Sequence, residues 1–297
     1  MRETTWSRVG TDVSEITSVQ DVLTWANLDY EVVKRPIFLG DGYEIKNKVA
    51  TVKKETGEYI GVVSPKYQIY QNKEAFEFID NIPDIQFVKA GETHRGMVYI
   101  IGKLPEMTVL NDTFTPHVIF QTSHNGGFNV RATICPLRIV CQNQFAWTFK
   151  HVQNTINLRH ASNLPTKVAQ AQQLIIDTAQ YMEGFTNTAE ELALLKLGSG
   201  ADVYKIMDAF FTSTKQLTER QQEALKEREE FFMRCYEADD NQEFKGTAWG
   251  LVNAFTDYQT HRERKKTKNA AESAFVKVTF DNEAMEKFMS IVQEYVH

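Results

Sequence analysis

The spacing of apolar residues changes once along this chain, near residue 160. From residue 28 to about 160 the sequence alternates short apolar runs with glycine-containing turns, as antiparallel strands do. Beyond Pro165 the apolar residues recur at helical spacing instead. Strands followed by helices favour an α+β fold over alternating βα units. We therefore expect an α+β core over residues 1–160, and a mainly helical region over residues 161–297 that packs on the core or follows it.

Three β-hairpins are predicted in the first part. Residues 43–64 alternate apolar and polar side chains on both sides of a turn at Gly57. Residues 85–104 form two apolar runs around a glycine-containing turn, and residues 116–134 do the same around Gly126, which permits positive backbone angles together with the glycine that follows it. These hairpins together predict a curved antiparallel sheet.

Two helices and one more strand are predicted between and after these hairpins. Residues 72–80 begin with Asn72, a good N-cap, and place apolar residues at helical spacing. After Pro136, residues 137–150 show the spacing of an amphipathic helix. Residues 154–162 are predicted to form a strand.

Five helices are predicted in the second part, with short connectors between them. The connectors are residues 197–200 and 238–246, which contain glycine or several polar residues. The helices are predicted over 166–185, 202–211, 218–238, 247–261 and 281–296.

Cysteine content and hydropathy predict a cytoplasmic protein. Cys135, Cys141 and Cys235 are an odd set without metal-type spacing, which fits a reducing compartment better than a disulfide scaffold. The first ten residues lack an apolar signal core, and no stretch approaches the roughly 18 apolar residues of a membrane span. We expect no membrane association.

One long segment contains no acidic residue. Between Thr113 and Ile176 there is no Asp or Glu, although acids make up 39 of the 297 residues. A buried sheet would exclude acids because burying charge is costly, but it would exclude arginine too. A surface that faces phosphates would exclude carboxylates and retain arginine, which forms bidentate hydrogen bonds with anions. The two explanations are about equally supported by the sequence. The formal net charge of −6 argues only against binding over the whole surface.

Known enzyme motifs are absent from the sequence. It contains no P-loop, no GxSxG or HExxH motif and no dinucleotide-binding fingerprint. The acid-free segment offers no carboxylates for metal ions. A nuclease function is therefore an alternative only if acidic residues outside this segment, such as Asp80, Asp84 and Glu92, come together in the fold. We therefore expect no catalytic residues, no metal site and no cofactor.

Several motifs resemble those of the phage/plasmid-like proteins, a domain-of-unknown-function family encoded by phages, prophages and conjugative elements. The similarity covers nearly the whole chain, from Trp6 and Gly10 to a C-terminal motif of Thr247, Trp249, Asn253 and Ala254. The central motif consists of Ser123, His124, Asn125, Gly126, Arg131, Pro136, Arg138, Val140, Cys141, Asn143, Arg159 and His160.

The resemblance implies a link to recombination. The order of elements is similar to that of the Rad52-like single-strand annealing proteins, which have a curved antiparallel sheet crossed by a helix and assemble as rings around single-stranded DNA. Our first hypothesis is therefore a homo-oligomeric, non-catalytic protein of a mobile element that binds single-stranded DNA and promotes annealing in the host cytoplasm. The alternative is a phage protein that binds and inhibits a host factor, for instance one of a defence system.

Nine residues are candidates for contacts with nucleic acid. Four cations would contact phosphates, and the turn from Asn125 to Phe128 would approach the strand, where an exposed ring can stack on a base. Histidine and asparagine side chains of the acid-free segment would add further contacts. The candidates are Arg131, Arg138, Lys150, Arg159, His160, His124, Asn125, Phe128 and Asn143.

Overall fold

The computed structural model describes residues 5–94, 96–127, 130–140, 142–145, 154–158, 164–211, 217–261, 269–280 and 283–296. The strands are β1 (Thr11–Asp12), β2 (Val32–Phe38), β3 (Glu44–Lys53), β4 (Tyr59–Val63), β5 (Gln86–Glu92), β6 (Met97–Lys103), β7 (Met107–Val109), β8 (Asp112–Ser123), β9 (Arg131–Arg138), β10 (Asn143–Gln144) and β11 (Thr155–Asn157). The helices are α1 (Val19–Trp25), α2 (Asn72–Phe76), α3 (Leu164–Leu194), α4 (Ala201–Phe211), α5 (Glu219–Tyr236), α6 (Ala248–His261), α7 (Ala270–Phe280) and α8 (Glu283–Val292). Short 3-10 helices span Trp6–Arg8, Glu77–Asn81 and Asp239–Phe244.

The strands form two antiparallel sheets. The larger sheet is curled and has eight strands, in the order β1-β5-β6-β8-β9-β10, with β7 paired to the start of β8 and β11 to the start of β9. The smaller sheet has the order β2-β3-β4. The three predicted hairpins are confirmed as β3–β4, β5–β6 and β8–β9. The α+β class with a helical C-terminal region is also confirmed.

Both faces of the larger sheet are covered. On one face, Val22 of α1 and Phe76 of α2 share an apolar cluster with Phe120 of β8. On the other face, Trp6 and Phe275 of α7 pack in a cluster with strand residues of β6, β8 and β9. Because successive side chains of a strand point to opposite faces, β8 is buried at every position from residue 114 to 123.

Helix α3 joins the sheet to the helical region. Its residue Leu174 belongs to the cluster on the sheet, while Phe185 lies in the core of the helical region. There the Phe185 ring packs edge-on against Phe114 of β8, with centroids 5.2 Å apart, and against Trp249 of α6, with centroids 5.9 Å apart. Helix α3 thus packs against both the sheet and the helical region. No helix in the described part of the chain is long and apolar enough to cross a membrane.

The prediction of a helix over residues 137–150 is wrong for those residues of this range that the structure describes. Leu137 and Arg138 end β9, the chain turns at Gln142 with φ of 58°, and Asn143 begins β10. β9 is buried at every position from residue 132 to 138, so it lacks the two-residue alternation of a strand with one exposed face, and periodicity alone does not separate its end from a helix.

Other elements near the sheet also depart from the predictions. The helix after the first hairpin exists, but Gln71 caps it and Asn72 is its first residue. Helices α1 and α7 were not predicted. The predicted connector at residues 238–246 contains a 3-10 helix over Asp239–Phe244.

Candidate nucleic-acid interface

A pocket of about 390 Å³ lies between the β8–β9 turn and helix α7. Two cations, Arg131 and Lys277, line it together with an apolar side that includes the ring of Phe280. None of the described residues that line this pocket is acidic. Its other lining residues are Thr93, His94, Met97, Ser123, Asn125, Gly127, Ser273 and Val276.

The β8–β9 turn is held in place by the smaller sheet. The Oδ1 atom of Asn125 accepts a hydrogen bond from the Gly127 amide at 2.9 Å, which closes an Asx turn around Gly126 at φ of 78°. Gly61 of β4 lies so close that a Cβ atom at this position would come within 2.6 Å of the Asn125 Cα. The Tyr67 hydroxyl donates to the Ser123 carbonyl at 3.0 Å. Contacts with Gly61 of β4 and with Tyr67 therefore hold the turn that forms this wall of the pocket.

Arg131 lies at the start of β9 and is half-buried. One Nη2 hydrogen bond reaches the Gln121 Oε1 at 3.2 Å, and the guanidinium lies 5.9 Å from the centre of the Phe280 ring. Burial lowers the pKa of Arg131. A partly desolvated guanidinium gains more from an anion than a fully hydrated one, because the local dielectric constant is lower.

Helix α7 supplies the other cation and an anchor to the loop after β5. Glu272 accepts a hydrogen bond from the His94 amide at 3.0 Å and also contacts the His94 imidazole. Lys277 follows little more than one helical turn later and lines the pocket with Phe280. The acid at this rim is thus engaged by His94, while Lys277 and Arg131 line the cavity.

Arg138 does not reach this pocket. Its side chain is 2% exposed, the Nε atom donates to the Asp112 Oδ2 at 2.9 Å, and Nη2 donates to the Asp240 carbonyl at 2.7 Å. Burial raises the pKa of Asp112, and the attraction to Arg138 opposes that rise in part. Arg138 therefore links β8 and β9 to the 3-10 helix of the helical region, and its position does not support the predicted phosphate contact.

Asn143 and His124 are buried as well. The Asn143 Oδ1 lies 3.1 Å from the His261 Nε2 at the end of α6. The His124 Nε2 donates to the Asn72 Oδ1 at 2.8 Å, because the Asn72 amide group itself donates to the Leu28 carbonyl. Burial lowers the pKa of His124 to about 4, so its ring is neutral at pH 7. Both side chains hold elements together rather than face solvent.

Of the nine predicted residues, the structure thus brings Asn125 and Arg131 together at the pocket. The predicted residues Phe128, Lys150, Arg159 and His160 lie outside the described residues, as do residues 262–268 of the basic run 261–268. The sequence interpretation missed Lys277, Ser273 and Phe280. The segment from Val276 to Phe280 alternates apolar and polar residues as a strand would, so the pattern that marks a helix is weak there.

The described residues offer little support for catalytic chemistry. Within the described ranges, no three His, Cys, Asp or Glu side chains lie close enough to hold a metal ion. Cys135 and Cys235 are both buried, and burial raises the pKa of Cys135 to about 12. A thiol with such a pKa is a poor nucleophile.

The fold and the pocket define an α+β protein with a cationic, partly aromatic pocket at the turn of a central hairpin. Residues 59–279 match the model of the family described as Domain of unknown function (DUF932), and the chain belongs to this family. No curated protein and no solved structure matches the chain.

Proposed function

We propose that this protein binds single-stranded DNA and promotes the annealing of complementary strands as part of a phage or another mobile element. The observation that carries the proposal is the pocket in which Arg131 and Lys277 flank the Phe280 ring. Single strands are held by cations that neutralise phosphates together with flat side chains on which bases stack. A volume of about 390 Å³ is within the range of pockets that hold small ligands, so one nucleotide unit is a suitable occupant.

The architecture agrees with this proposal. The resemblance to Rad52-like annealing proteins implies a curved antiparallel sheet with a helix packed on it, and the curled sheet with α3 packed against it is compatible with that arrangement. Annealing needs no bond cleavage, so it requires neither a metal ion nor a nucleophile. By the same resemblance, we propose a homo-oligomer that acts in the host cytoplasm.

Fluorescence anisotropy with a labelled single strand and its duplex, at several salt concentrations, tests the proposal. We expect the wild-type protein to prefer the single strand, with affinity falling as salt rises. The Arg131→Ala/Lys277→Ala variant should bind at least about tenfold more weakly, and its log–log salt slope should fall by about 1.4, since each phosphate contact on a single strand contributes about 0.7.

The matched control removes two cations from an exposed helix away from the pocket. Lys226→Ala/Arg228→Ala on α5 changes the net charge by the same amount and should bind like wild type. The pocket assignment is refuted if the pocket variant folds normally and keeps wild-type affinity. Absence of single-strand binding at low salt refutes the function itself. A strand-annealing assay with two complementary dye-labelled oligonucleotides then separates annealing from simple binding.

A second candidate function is binding of a host protein. It is favoured by an open, mostly apolar groove between α4 and α5, in which Tyr204 is 59% exposed beside Met207 and Met233. Such a groove is typical of a protein contact surface. Co-purification of one defined host protein that resists nuclease treatment, and that is lost in the Met233→Glu variant, would support this function. Failure to recover any partner under gentle lysis would count against it.

A further inference from the structure

The hairpin of β2 and β3 extends beyond the strand that supports it. Strand β4 pairs with β3 only between Val49 and Val52, so the segment from Lys34 to Lys48 includes a two-stranded part without a third strand. We call residues 34–48 the ribbon. Phe38 pairs with Glu44 near its end, next to a turn of exposed residues.

The end of the ribbon exposes large apolar side chains. Phe38 is 58% exposed, Leu39 is 50% exposed and Tyr43 is 66% exposed. Single exposed apolar residues are ordinary, but three that are close together on a protruding hairpin indicate a contact surface. Tyr59, at the start of β4, adds another exposed ring at the base.

Three cations of the ribbon have no ion-pair partner among the described residues. The ribbon holds Lys34, Arg35, Lys46 and Lys48 against two acids, although the whole chain has a formal charge of −6. Arg35, Lys46 and Lys48 are exposed and have no ion pair or hydrogen-bond partner for their side chains in the described part of the chain.

The two lysines that follow the ribbon on β3 and its turn form ion pairs with acidic residues. The Lys53 Nζ lies 3.0 Å from carboxylate oxygens of both Glu58 and Glu92, and Lys54 pairs with Glu31. Lys53 and Lys54 are therefore paired with acids, and Lys34 donates to the Pro65 carbonyl at 2.7 Å, whereas Arg35, Lys46 and Lys48 are available to an external anion.

We propose that the ribbon is a second contact surface for single-stranded nucleic acid. Exposed aromatic rings next to unpaired cations are the two groups by which proteins hold single strands without reading their sequence. Two ribbons facing each other would place like charges together, so charge complementarity favours a polyanion over a second copy of the ribbon. A duplex would offer phosphates, but its stacked bases would leave Phe38 and Tyr43 without partners.

Lys34 of the ribbon lines a shallow groove, and Tyr67 in the wall of this groove contacts the pocket wall. Lys66, Tyr70 and the acid Glu74 also line the groove. The Tyr67 hydroxyl donates to the carbonyl of Ser123, a residue that also lines the pocket. The ribbon thus extends the binding surface beyond the pocket, and this inference rests on the proposed function. A short oligonucleotide should occupy the pocket alone, and a longer one should also reach the ribbon.

Two sets of substitutions test the ribbon. Arg35→Ser/Lys46→Ser/Lys48→Ser removes the unpaired cations, and Phe38→Ser/Tyr43→Ser removes exposed rings. All five side chains are exposed or lie on the protruding hairpin, so both variants should fold, which circular dichroism checks. The matched control for charge is Arg220→Ala/Lys226→Ala/Arg228→Ala, which removes three exposed cations of α5, and the control for an exposed ring is Tyr204→Ser. Binding is measured with strands of about 6 and about 25 nucleotides.

The expected result depends on the length of the strand. Both ribbon variants should bind the longer strand at least about tenfold more weakly, and the charge variant should reduce its salt slope by about 2. Both should bind the shorter strand like wild type. The Arg131→Ala/Lys277→Ala variant should instead weaken both strands, so the two surfaces are distinguished.

Three results would overturn the inference. If wild type binds the longer strand and both ribbon variants match it, the ribbon is not a nucleic-acid contact while the proposed function stands. If the ribbon variants change the oligomeric state in light scattering without changing affinity, the ribbon is an assembly element. If wild type binds neither strand at low salt, the proposed function and the ribbon inference fail together.

Discussion

Replacing Arg138 with alanine should destabilise the fold instead of weakening ligand binding alone. The guanidinium is buried and connects three parts of the chain, since it lies on β9, pairs with Asp112 on β8 and donates to the carbonyl of Asp240 in the 3-10 helix before α6. An alanine at this position leaves the Asp112 carboxylate and the Asp240 carbonyl without their donor.

The size of the effect follows from the burial of the partners. Removing one member of a buried ion pair typically costs about 3–5 kcal/mol, because the other charge stays desolvated. The Asp112 side chain retains 21% exposure, so water can reach it and the lower end applies. We expect a loss of about 3 kcal/mol in the free energy of unfolding. For a chain of this size, this corresponds to a decrease in Tm of roughly 6–12 °C.

Urea unfolding of Arg138→Ala, Asp112→Ala and the double variant measures the effect and its coupling. The two single effects should not add, and the coupling energy should be at least about 1.5 kcal/mol. Arg131→Ala is the control and should lose less than about 1 kcal/mol, because its side chain is only half-buried. A loss below about 1 kcal/mol in Arg138→Ala would refute the structural role. If that stable variant also lost single-strand binding, the phosphate contact predicted from the sequence would be correct.

Two further outcomes follow from burial and close packing. Burial lowers the pKa of His117 and His124 to about 4, so below pH 6.5 the unfolded chain binds more protons than the native one. The free energy of unfolding should therefore fall as pH decreases from about 6.5 towards 4, by up to about 2.7 kcal/mol per pH unit. A free energy of unfolding that does not change with pH in urea unfolding would contradict this. Gly61→Ala should cost about 1–3 kcal/mol in thermal unfolding, since its Cβ would overlap Asn125, whereas Gly200→Ala, which has open space, should stay within about 0.5 kcal/mol.

The hairpins were predictable because their turns and alternation are local. Gly57 and Gly96 both adopt positive φ at hairpin turns, and the sequence on both sides of Gly57 alternates apolar and polar residues. Residues 137–145 were not predictable in this way. The strand residues among them, Leu137, Arg138, Asn143 and Gln144, are all buried, so burial does not alternate along these strands.

Only part of the site could be predicted, because its members come together through tertiary structure. The absence of acids between Thr113 and Ile176 is explained for the strands by burial, since β8 and β9 are covered on both faces. The presence of Arg138 appeared to exclude that explanation. Its partners Asp112 and Asp240 lie outside the acid-free segment, and no local pattern reveals the second of them.

An acidic protein can bind a polyanion when its cations are concentrated at one surface, because the field near a surface depends on local charge. Five cations are assigned to the proposed interface, which are Arg35, Lys46 and Lys48 on the ribbon and Arg131 and Lys277 at the pocket. If each neutralises one phosphate of a single strand, the log–log salt slope should be about −3.5. A slope of about −1.4 would mean that the pocket acts without the ribbon. A much steeper slope would require cations beyond these five, and the acid-free segment and the basic run at residues 261–268 would then be the places to substitute next.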